Sequence, residues 1–433
     1  MILVYGFAAL IAVGTFLLWL PFFNTTGDFA PFLTALFTAT SAGTDTGLVV
    51  VNTATYWNTA GQVVILALLF IGGIGIMSAA TFLLVVLTQR ISLANQFILR
   101  EFLPTTQMGG LGRLALQVGA LALLLQLAGF AYFFWRFLAL FSPGQAAWQA
   151  AFLSASAFNN AGFSILPNSN NLTMFRHDAW VLGGVGALIV LGGISYSFLV
   201  DVVRRHRFNR FTLDSRLVMV VTAGLLLLGS LVFFLSEFNN ADTLKPMPMA
   251  DRVVNSVFMS ISPRTAGFNT IDLGLTGIHT NIFLTLLMFI GAASGSTGGG
   301  IKVNTLAVLL LAVVTSVRGH PHVTAFGREI APEQIQRAMT VVFLGAVFTF
   351  VVAFFLVMTE GLPFDKLLFE TVSAFGTVGL STGITPVLST WGKTLIAVTM
   401  YVGHIGPLTF ALAMAERQRH PVYRYSQERV RIG

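Results

Sequence analysis

Thr40-Ser41-Ala42-Gly43-Thr44-Asp45-Thr46-Gly47-Leu48 is a short polar, glycine-bearing run inside a sequence otherwise apolar enough for a bilayer. Related runs recur at Ser156-Ala157-Phe158-Asn159-Asn160-Ala161-Gly162-Phe163, Ile261-Ser262-Pro263-Arg264-Thr265-Ala266-Gly267-Phe268 and Ser373-Ala374-Phe375-Gly376-Thr377-Val378-Gly379-Leu380. The matched glycines, Gly47, Gly162, Gly267 and Gly379, are 115, 105 and 112 residues apart. Each is followed by Leu or Phe. Three runs carry Ser six residues before the glycine, and the third has Ile261 there. Irregular backbone at membrane depth persists only where it is buried or lines water. Four such loops in one chain predict a fourfold pore ringed by backbone carbonyls, the ligands that replace the hydration shell of an alkali cation.

The composition agrees. Hydrophobic residues make up 55% of the 433 and charged residues 9%, against roughly 25% charged in a soluble domain. There is no cysteine, hence no disulfide and no thiolate metal site. Ile2 to Leu20 is long enough to span and lacks a small-residue cleavage site, so it reads as a span rather than a signal peptide. The chain starts almost inside that span, which points to a few native residues upstream. The net charge of +7 gathers in short connections between apolar segments, as membrane orientation requires. It predicts a lipid bilayer as partner and no nucleic acid.

The predicted fold is an all-α integral membrane protein with four repeats of span, pore helix, filter loop and span. Eight spans and four re-entrant loops would surround a pseudo-fourfold pore. The repeats are expected at 1–90, 91–210, 211–320 and 321–433, the last with the C-terminal segment. Spans are expected at 2–21 and 60–87, 114–140 and 179–203, 217–236 and 281–315, and 334–358 and 392–415. The intervening short helices, at 31–43, 147–158, 250–261 and 365–376, are too short to cross about 30 Å of hydrocarbon. Arg90, Arg100 and Arg113, then Arg204, Arg205, Arg207, Arg210 and Arg216, fall in one set of connections. Arg318, Arg328 and Arg337, then Arg417, Arg419, Arg424, Arg429 and Arg431, continue the set. These segments, and both termini, are predicted to be cytoplasmic.

Within each loop, glycine tolerates positive φ and has no side chain to fill the axis. Its neighbours can then turn carbonyls inward, with a helix end adding a dipole contribution. Close helix packing is the alternative use of such glycines. Arg264 is expected to point behind the third loop and pair with a carboxylate, Glu370 being the candidate, or else to be a solvated charge at the mouth.

The runs TSAGTDTGL, SAFNNAGF, SPRTAGFNT and SAFGTVGLST resemble the Trk/Ktr/HKT superfamily of potassium transporters, and the eight predicted spans are most similar to its KtrB branch. The resemblance covers essentially the whole chain. It implies that Gly47, Gly162, Gly267 and Gly379, with the preceding Thr46, Ala161, Ala266 and Val378, bind K+ as a selectivity filter. Glycine at all four positions implies K+ preference, since sodium-preferring plant members replace the first by Ser. Asp45 departs from the family pattern. It either concentrates cations at the outer mouth or turns away and caps a backbone amide.

Gly291-Ala292-Ala293-Ser294-Gly295-Ser296-Thr297-Gly298-Gly299-Gly300-Ile301-Lys302 interrupts the second span of the third repeat. Gly costs about 1 kcal/mol relative to Ala in a helix, so this stretch is a poor helix former. It fails the phosphate-loop pattern, because Lys302 follows Ile301 and precedes no Ser or Thr. It reads as a cavity-lining loop, with a passive kink as the alternative. The resemblance implies a gate over about 292–302. Hydroxyls of Ser294, Ser296 and Thr297 would bond across the path, and Lys302 would repel cations when the loop is closed. Gly295, Gly298, Gly299 and Gly300 would supply its flexibility. His404 stands where KtrB-like chains have arginine, which predicts a weaker or pH-dependent barrier, or a neutral packing histidine instead.

The resemblance further implies potassium uptake across the cytoplasmic (inner) membrane, channel-like or by symport, with Na+ as activator or co-ion. It also implies a homodimer and a KtrA-type cytosolic nucleotide-binding ring. An alternating-access transporter is the competing class, but it is usually built from inverted repeats. An enzyme is not expected: His177, Asp178, His320 and His322 lie in connections and match no metal or nucleophile spacing.

Overall fold

The computed structural model describes residues 2–74, 111–167 and 171–406. The expected repeat boundary at 90/91, Arg90, Arg100, Arg417 to Arg431 and the far ends of the spans expected at 60–87 and 392–415 lie outside the described residues. The described chain is helical, apart from one small hairpin of β1 (Thr324–Ala325) and β2 (Arg328–Glu329).

Each polar run follows a short helix: α2 (Phe32–Gly43), α6 (Pro143–Phe158), α10 (Met249–Ile261) and α14 (Phe364–Phe375). Proline opens every one, as Pro31, Pro143, Pro248 and Pro363. Proline suits a helix start because the first N–H groups have no intrahelical acceptor. That is why α6 begins at Pro143 rather than at 147. Before the short helices come α1 (Ile2–Trp19), α5 (Leu111–Phe137), α9 (Leu213–Glu237) and α13 (Pro332–Glu360). After them come, in the first run, α3 (Thr53–Tyr56) and α4 (Thr59–Ile74). Next are α7 (Ala179–Gly193) and α8 (Tyr196–Arg205), then α11 (Ile278–Phe289) and α12 (Val303–Val317), and finally α15 (Thr390–Ile405). Among the described residues, Gln117–Phe137, Leu213–Glu237 and Pro332–Glu360 are long and apolar enough to cross a membrane unaided. Leu227, Leu235, Phe343 and Phe350 are more than 60% exposed, a surface that suits lipid rather than water.

The segment expected as one span over 179–203 is two helices. The carbonyls of Gly192 and Gly193 are turned out of the helical ladder: Gly193 accepts from Ala293 N (3.0 Å) and Gly192 from the Thr297 hydroxyl (3.2 Å). Ser195 then caps the new helix through Phe198 N. Lost acceptors, not composition, end α7 there.

Packing runs in a closed circuit. α4 packs on α6, α7 on α10, α11 on α14, and α15 on α2. Phe37 and Leu48, from the start of the chain, are buried in one cluster with Leu356, Ile396 and Met400 near its end. A salt bridge and two hydrogen-bonded carboxylates pin the loop-bearing end. Arg136, near the end of α5, meets Asp178 at the start of α7 (2.7 Å). Glu237, fully buried, accepts from Gly277 N (2.9 Å), Thr243 Oγ1 (2.7 Å) and Asn240 Nδ2 (2.7 Å). Glu360 accepts from Ser389 N (2.7 Å).

Two glycines of α7 separate close approach from flexibility. A methyl group on Gly192 would lie 1.8 Å from the Phe158 carbonyl oxygen, whereas one on Gly183 meets nothing within 4 Å. Gly192→Ala is expected to lower stability by about 1–3 kcal/mol through overpacking. Gly183→Ala should leave it unchanged or raise it by up to about 1 kcal/mol. Thermal unfolding of the two variants in detergent checks the contrast.

Candidate functional site

The four matched glycines meet in cyclic order. A methyl group on Gly47 would lie 2.5 Å from the Ala161 carbonyl oxygen, and one on Gly162 3.0 Å from that of Ala266. On Gly267 it would lie 2.4 Å from that of Val378, and on Gly379 2.0 Å from that of Thr46. The backbone of each loop therefore abuts the carbonyl just before the next glycine, and the fourth closes on the first. Positive φ at all four, 90°, 69°, 72° and 90°, adds a second reason for glycine.

A second position shares the geometry and was not singled out in the sequence. Two residues before each glycine, Asp45, Asn160, Thr265 and Thr377 also have positive φ, between 48° and 66°. Asp and Asn tolerate this region because their short polar side chains bond locally, whereas for β-branched Thr it is a strained conformation. The Thr377 hydroxyl accepts from Gly299 N (3.0 Å). The Asn160 amide reaches the Ile189 and Ala157 carbonyls (3.1 Å each) in the orientation that satisfies both of its ends.

Serine buttresses each loop. Thr46 N, Ala161 N and Val378 N donate to the carbonyls of Ser41, Ser156 and Ser373, each at 2.8 Å. In the third loop the same role falls to Ser262, which accepts from Ala266 N (3.0 Å). Ser262 is five residues before Gly267, so this loop is one residue shorter, and the serine expected opposite Ile261 is present one place on. Asn171, absent from the sequence reading, donates to the carbonyls of both Gly162 and Gly267 (3.1 Å each) and cross-links two loops. Its own backbone is left-handed, with a φ of 67°.

α2, α6 and α14 each deliver a C-terminus to a loop. The partly negative carbonyl end of a helix favours a cation there.

Residues 290–302 are non-helical between α11 and α12. Gly291 N donates to Ile301 O (2.7 Å) and Val303 N to Ala292 O (3.1 Å), which close the neck of this loop. Its tip lies against the glycine loops. A methyl group on Gly298 would meet Thr265 Oγ1 at 2.1 Å, one on Gly299 Thr377 Oγ1 at 2.4 Å, and one on Gly300 Gly376 Cα at 3.1 Å. The hydroxyls expected to bond across a path bond to backbone instead: Ser296 to Ala293 O (2.6 Å) and Thr297 to Gly192 O. Ser294 is exposed. The Lys302 ammonium folds back to donate to the Gly298 and Gly299 carbonyls, so in this arrangement its charge holds the loop together.

The pattern of the TrkH family, described as a cation transport protein family, matches residues 1–422. The chain belongs to the TrkH family. The potassium/sodium uptake protein NtpJ of Enterococcus hirae is 37% identical to it over 99% of this chain and 96% of its own. The Ktr system potassium uptake protein B of Bacillus subtilis is 37% identical over 100% and 96%, and that of Vibrio alginolyticus 35% over 100% and 94%. The crystal structure of the potassium transporter TrkH from Vibrio parahaemolyticus matches with a TM-score of 0.73 at 18% identity, covering 95% of this chain and 83% of that one. That likeness speaks for the fold, a helical membrane protein. TrkH-family proteins are transporters, not enzymes.

Several side chains of this TrkH-family chain sit otherwise than expected. Asp45 is 2% exposed, faces Gly72 on α4, and has no hydrogen-bond partner among the described residues. It therefore caps no amide among the described residues, and its burial keeps it from an open mouth. Arg264 does not pair with Glu370. Its guanidinium reaches the Thr222 hydroxyl and carbonyl on α9 (3.3 and 3.5 Å), while Glu370 accepts from the Thr385 hydroxyl. Arg264 follows Pro263 in the third loop, and its side chain is directed at α9. The His404 ring packs edge-on against Phe7, centroids 4.5 Å apart, with Nδ1 unpartnered among the described residues. His177 bonds Asp251 (2.6 Å) and Asp178 bonds Arg136. No metal-holding cluster of His, Asp or Glu occurs among the described residues.

Asn171→Leu would leave two glycine carbonyls without a donor. The expected loss is about 1–3 kcal/mol, read as a lower unfolding temperature in detergent. An unchanged transition would show that the cross-link carries no weight.

Proposed function

We propose that this chain takes up potassium across the cytoplasmic membrane through a pore within one copy of the chain. The observation that carries the proposal is the cyclic contact of the four glycine loops. The selectivity filter consists of Thr46, Gly47, Ala161, Gly162, Ala266, Gly267, Val378 and Gly379. Carbonyl oxygens from the four loops replace the water around a K+ ion, and the helix C-termini add negative potential. Four units of two spans and a re-entrant short helix build it, giving eight crossings. The connections rich in arginine face the cytoplasm.

The loop over 292–302 is the gate. It lies against the third and fourth filter loops, where a small shift alters the path, and its Gly and Ser content lowers the cost of that shift. In this reading His404, in the last turn of α15, belongs to the gate with Lys302. Na+ stimulation, a homodimer and a KtrA-type nucleotide-binding ring complete the proposal. They rest on likeness to the Ktr proteins, which are named as parts of a Ktr system.

The test is cation flux in proteoliposomes carrying the purified chain, with K+, Rb+ or Na+ as the transported ion. K+ preference that Gly162→Ser abolishes is the expected result. Equal Na+ and K+ flux, unchanged in the variant, would remove the glycine loops from the role of filter. A second expectation concerns His404. His404→Arg introduces a permanent charge beside the gate and should lower K+ flux about tenfold while leaving ion preference unchanged, an effect worth about 1.4 kcal/mol at the barrier. Flux and pH profile identical to the parent would assign His404 to packing against Phe7.

A further inference from the structure

Asn304 lies in the first turn of α12, two residues beyond the intramembrane loop. Its side chain spans two elements. Oδ1 accepts from Ser294 N at the loop's exposed shoulder (3.1 Å), and Nδ2 donates to Oδ1 of Asp214. Asp214 belongs to the first turn of α9, where a carboxylate is favoured by the helix dipole. That turn is itself held firmly. Thr212 caps α9 through Ser215 N (3.2 Å), and Asp201 on α8 accepts from Thr212 N, Thr212 Oγ1 and Ser215 Oγ (2.8–2.9 Å) while pairing with Arg205 (2.9 Å).

The loop has firm anchors at its neck, at α7 and under the glycine loops, and among the described residues Ser294 itself is tied to another element through Asn304. The tether runs to the arginine-bearing end of the protein. There Arg216 stacks on Phe208 and on Phe326 of the β1–β2 hairpin (5.6 and 5.8 Å), and Ala325 packs with Leu217 and Ala307. Asp214 therefore sits in a rigid rim, and Asn304 is the amide that reads it from the loop's side. An amide is needed because it must accept on one side and donate on the other; a carboxylate fails at the second contact and a hydrocarbon at both.

We infer that Asn304 and Asp214 form a latch that holds the intramembrane loop in its present position, so that releasing it frees the loop and raises conduction. Asn304 is a positioning residue that acts through the loop. The conduction half of the inference rests on the gate proposed above; the loop-holding half does not.

The absence of native cysteine permits a direct readout. Ser296→Cys places one thiol on the loop, and its rate of maleimide labelling in detergent reports loop opening. Asn304→Asp sets a carboxylate against Asp214. It should raise labelling about fivefold, the scale of one net hydrogen bond, and raise K+ flux similarly in liposomes with K+ preference over Na+ intact. Adding Asp214→Asn restores a donor–acceptor pair with the roles exchanged, and both readouts should return to the parent level. A merely destabilising substitution would not be rescued in this way. If Asn304→Asp does not fold, Asp214→Ala removes the acceptor and should raise the same two readouts. Labelling unchanged in the single variants, flux unchanged where labelling rises, or failure of the exchanged pair to restore either readout overturns the latch. Failure of the pore reading is seen separately, as ion preference unaffected by Gly162→Ser.

Discussion

The structure depends on backbone touching backbone where four chain segments meet. At Gly47, Gly162, Gly267 and Gly379 a single methyl group would sit 2.0–3.0 Å from the neighbouring loop's carbonyl oxygen, closer than atoms in contact allow. Contacts this tight fix the distance between loops by the size of the peptide group, which does not vary with rotamer. Everything nearby serves to hold it. Serine carbonyls fix each loop to its own short helix, Asn171 joins two loops, and the hydroxyl of the strained Thr377 accepts from Gly299 N. Strain of this kind costs about 1–3 kcal/mol per residue and persists only where the surroundings over-determine it.

A second set of close approaches explains why one quarter of the molecule differs. Methyl groups on Gly72, Gly192 and Gly403 would lie 2.7, 1.8 and 1.9 Å from the carbonyl oxygens of Gly43, Phe158 and Phe375. Each of those carbonyls belongs to the last residue of a short helix, four residues before a matched glycine. In the third unit Pro263 shortens the run, the short helix ends at Ile261, and the following helix is replaced by the loop at 290–302. The asymmetry thus collects in one place. Helices follow closely on the first, second and fourth polar runs, whereas the third is met by hydrogen-bonded but non-helical backbone.

The helical class, the short helices and the four glycines were legible in the sequence because hydrophobic length and repeated Gly spacing are local properties. The interruption at 290–302 was legible for the same reason, from its Gly and Ser content. The break of α7 at Ile194-Ser195 was not, since it arises from Gly192 and Gly193 giving their carbonyls to a segment a hundred residues away. Arg264 was misassigned to Glu370 on charge alone, whereas its side chain is directed at α9; the one-residue deletion in its loop is visible only once Ser262, not Ile261, is matched to Ser41, Ser156 and Ser373. The left-handed residues Asp45, Asn160, Thr265 and Thr377 were legible in principle, as a column two places before the glycine, but their residue types vary. Asn171 could be found only by seeing which carbonyls converge on it.

The circuit of helix contacts closes between the two ends of the chain: α15 packs on α2, and the Tyr401 hydroxyl donates to Val4 O. During synthesis the first short helix therefore waits, with one flank unfilled, until nearly the whole polypeptide has entered the bilayer. Contacts of such sequence separation form late and slowly. The seam between α2 and α15 is thus the point at which assembly commits, and a chain stalled before α15 would leave Phe37 of α2 and Leu48 of the following loop open to lipid or to another membrane protein. Quality control of insertion has, in that open edge, a feature that exists only in unfinished molecules.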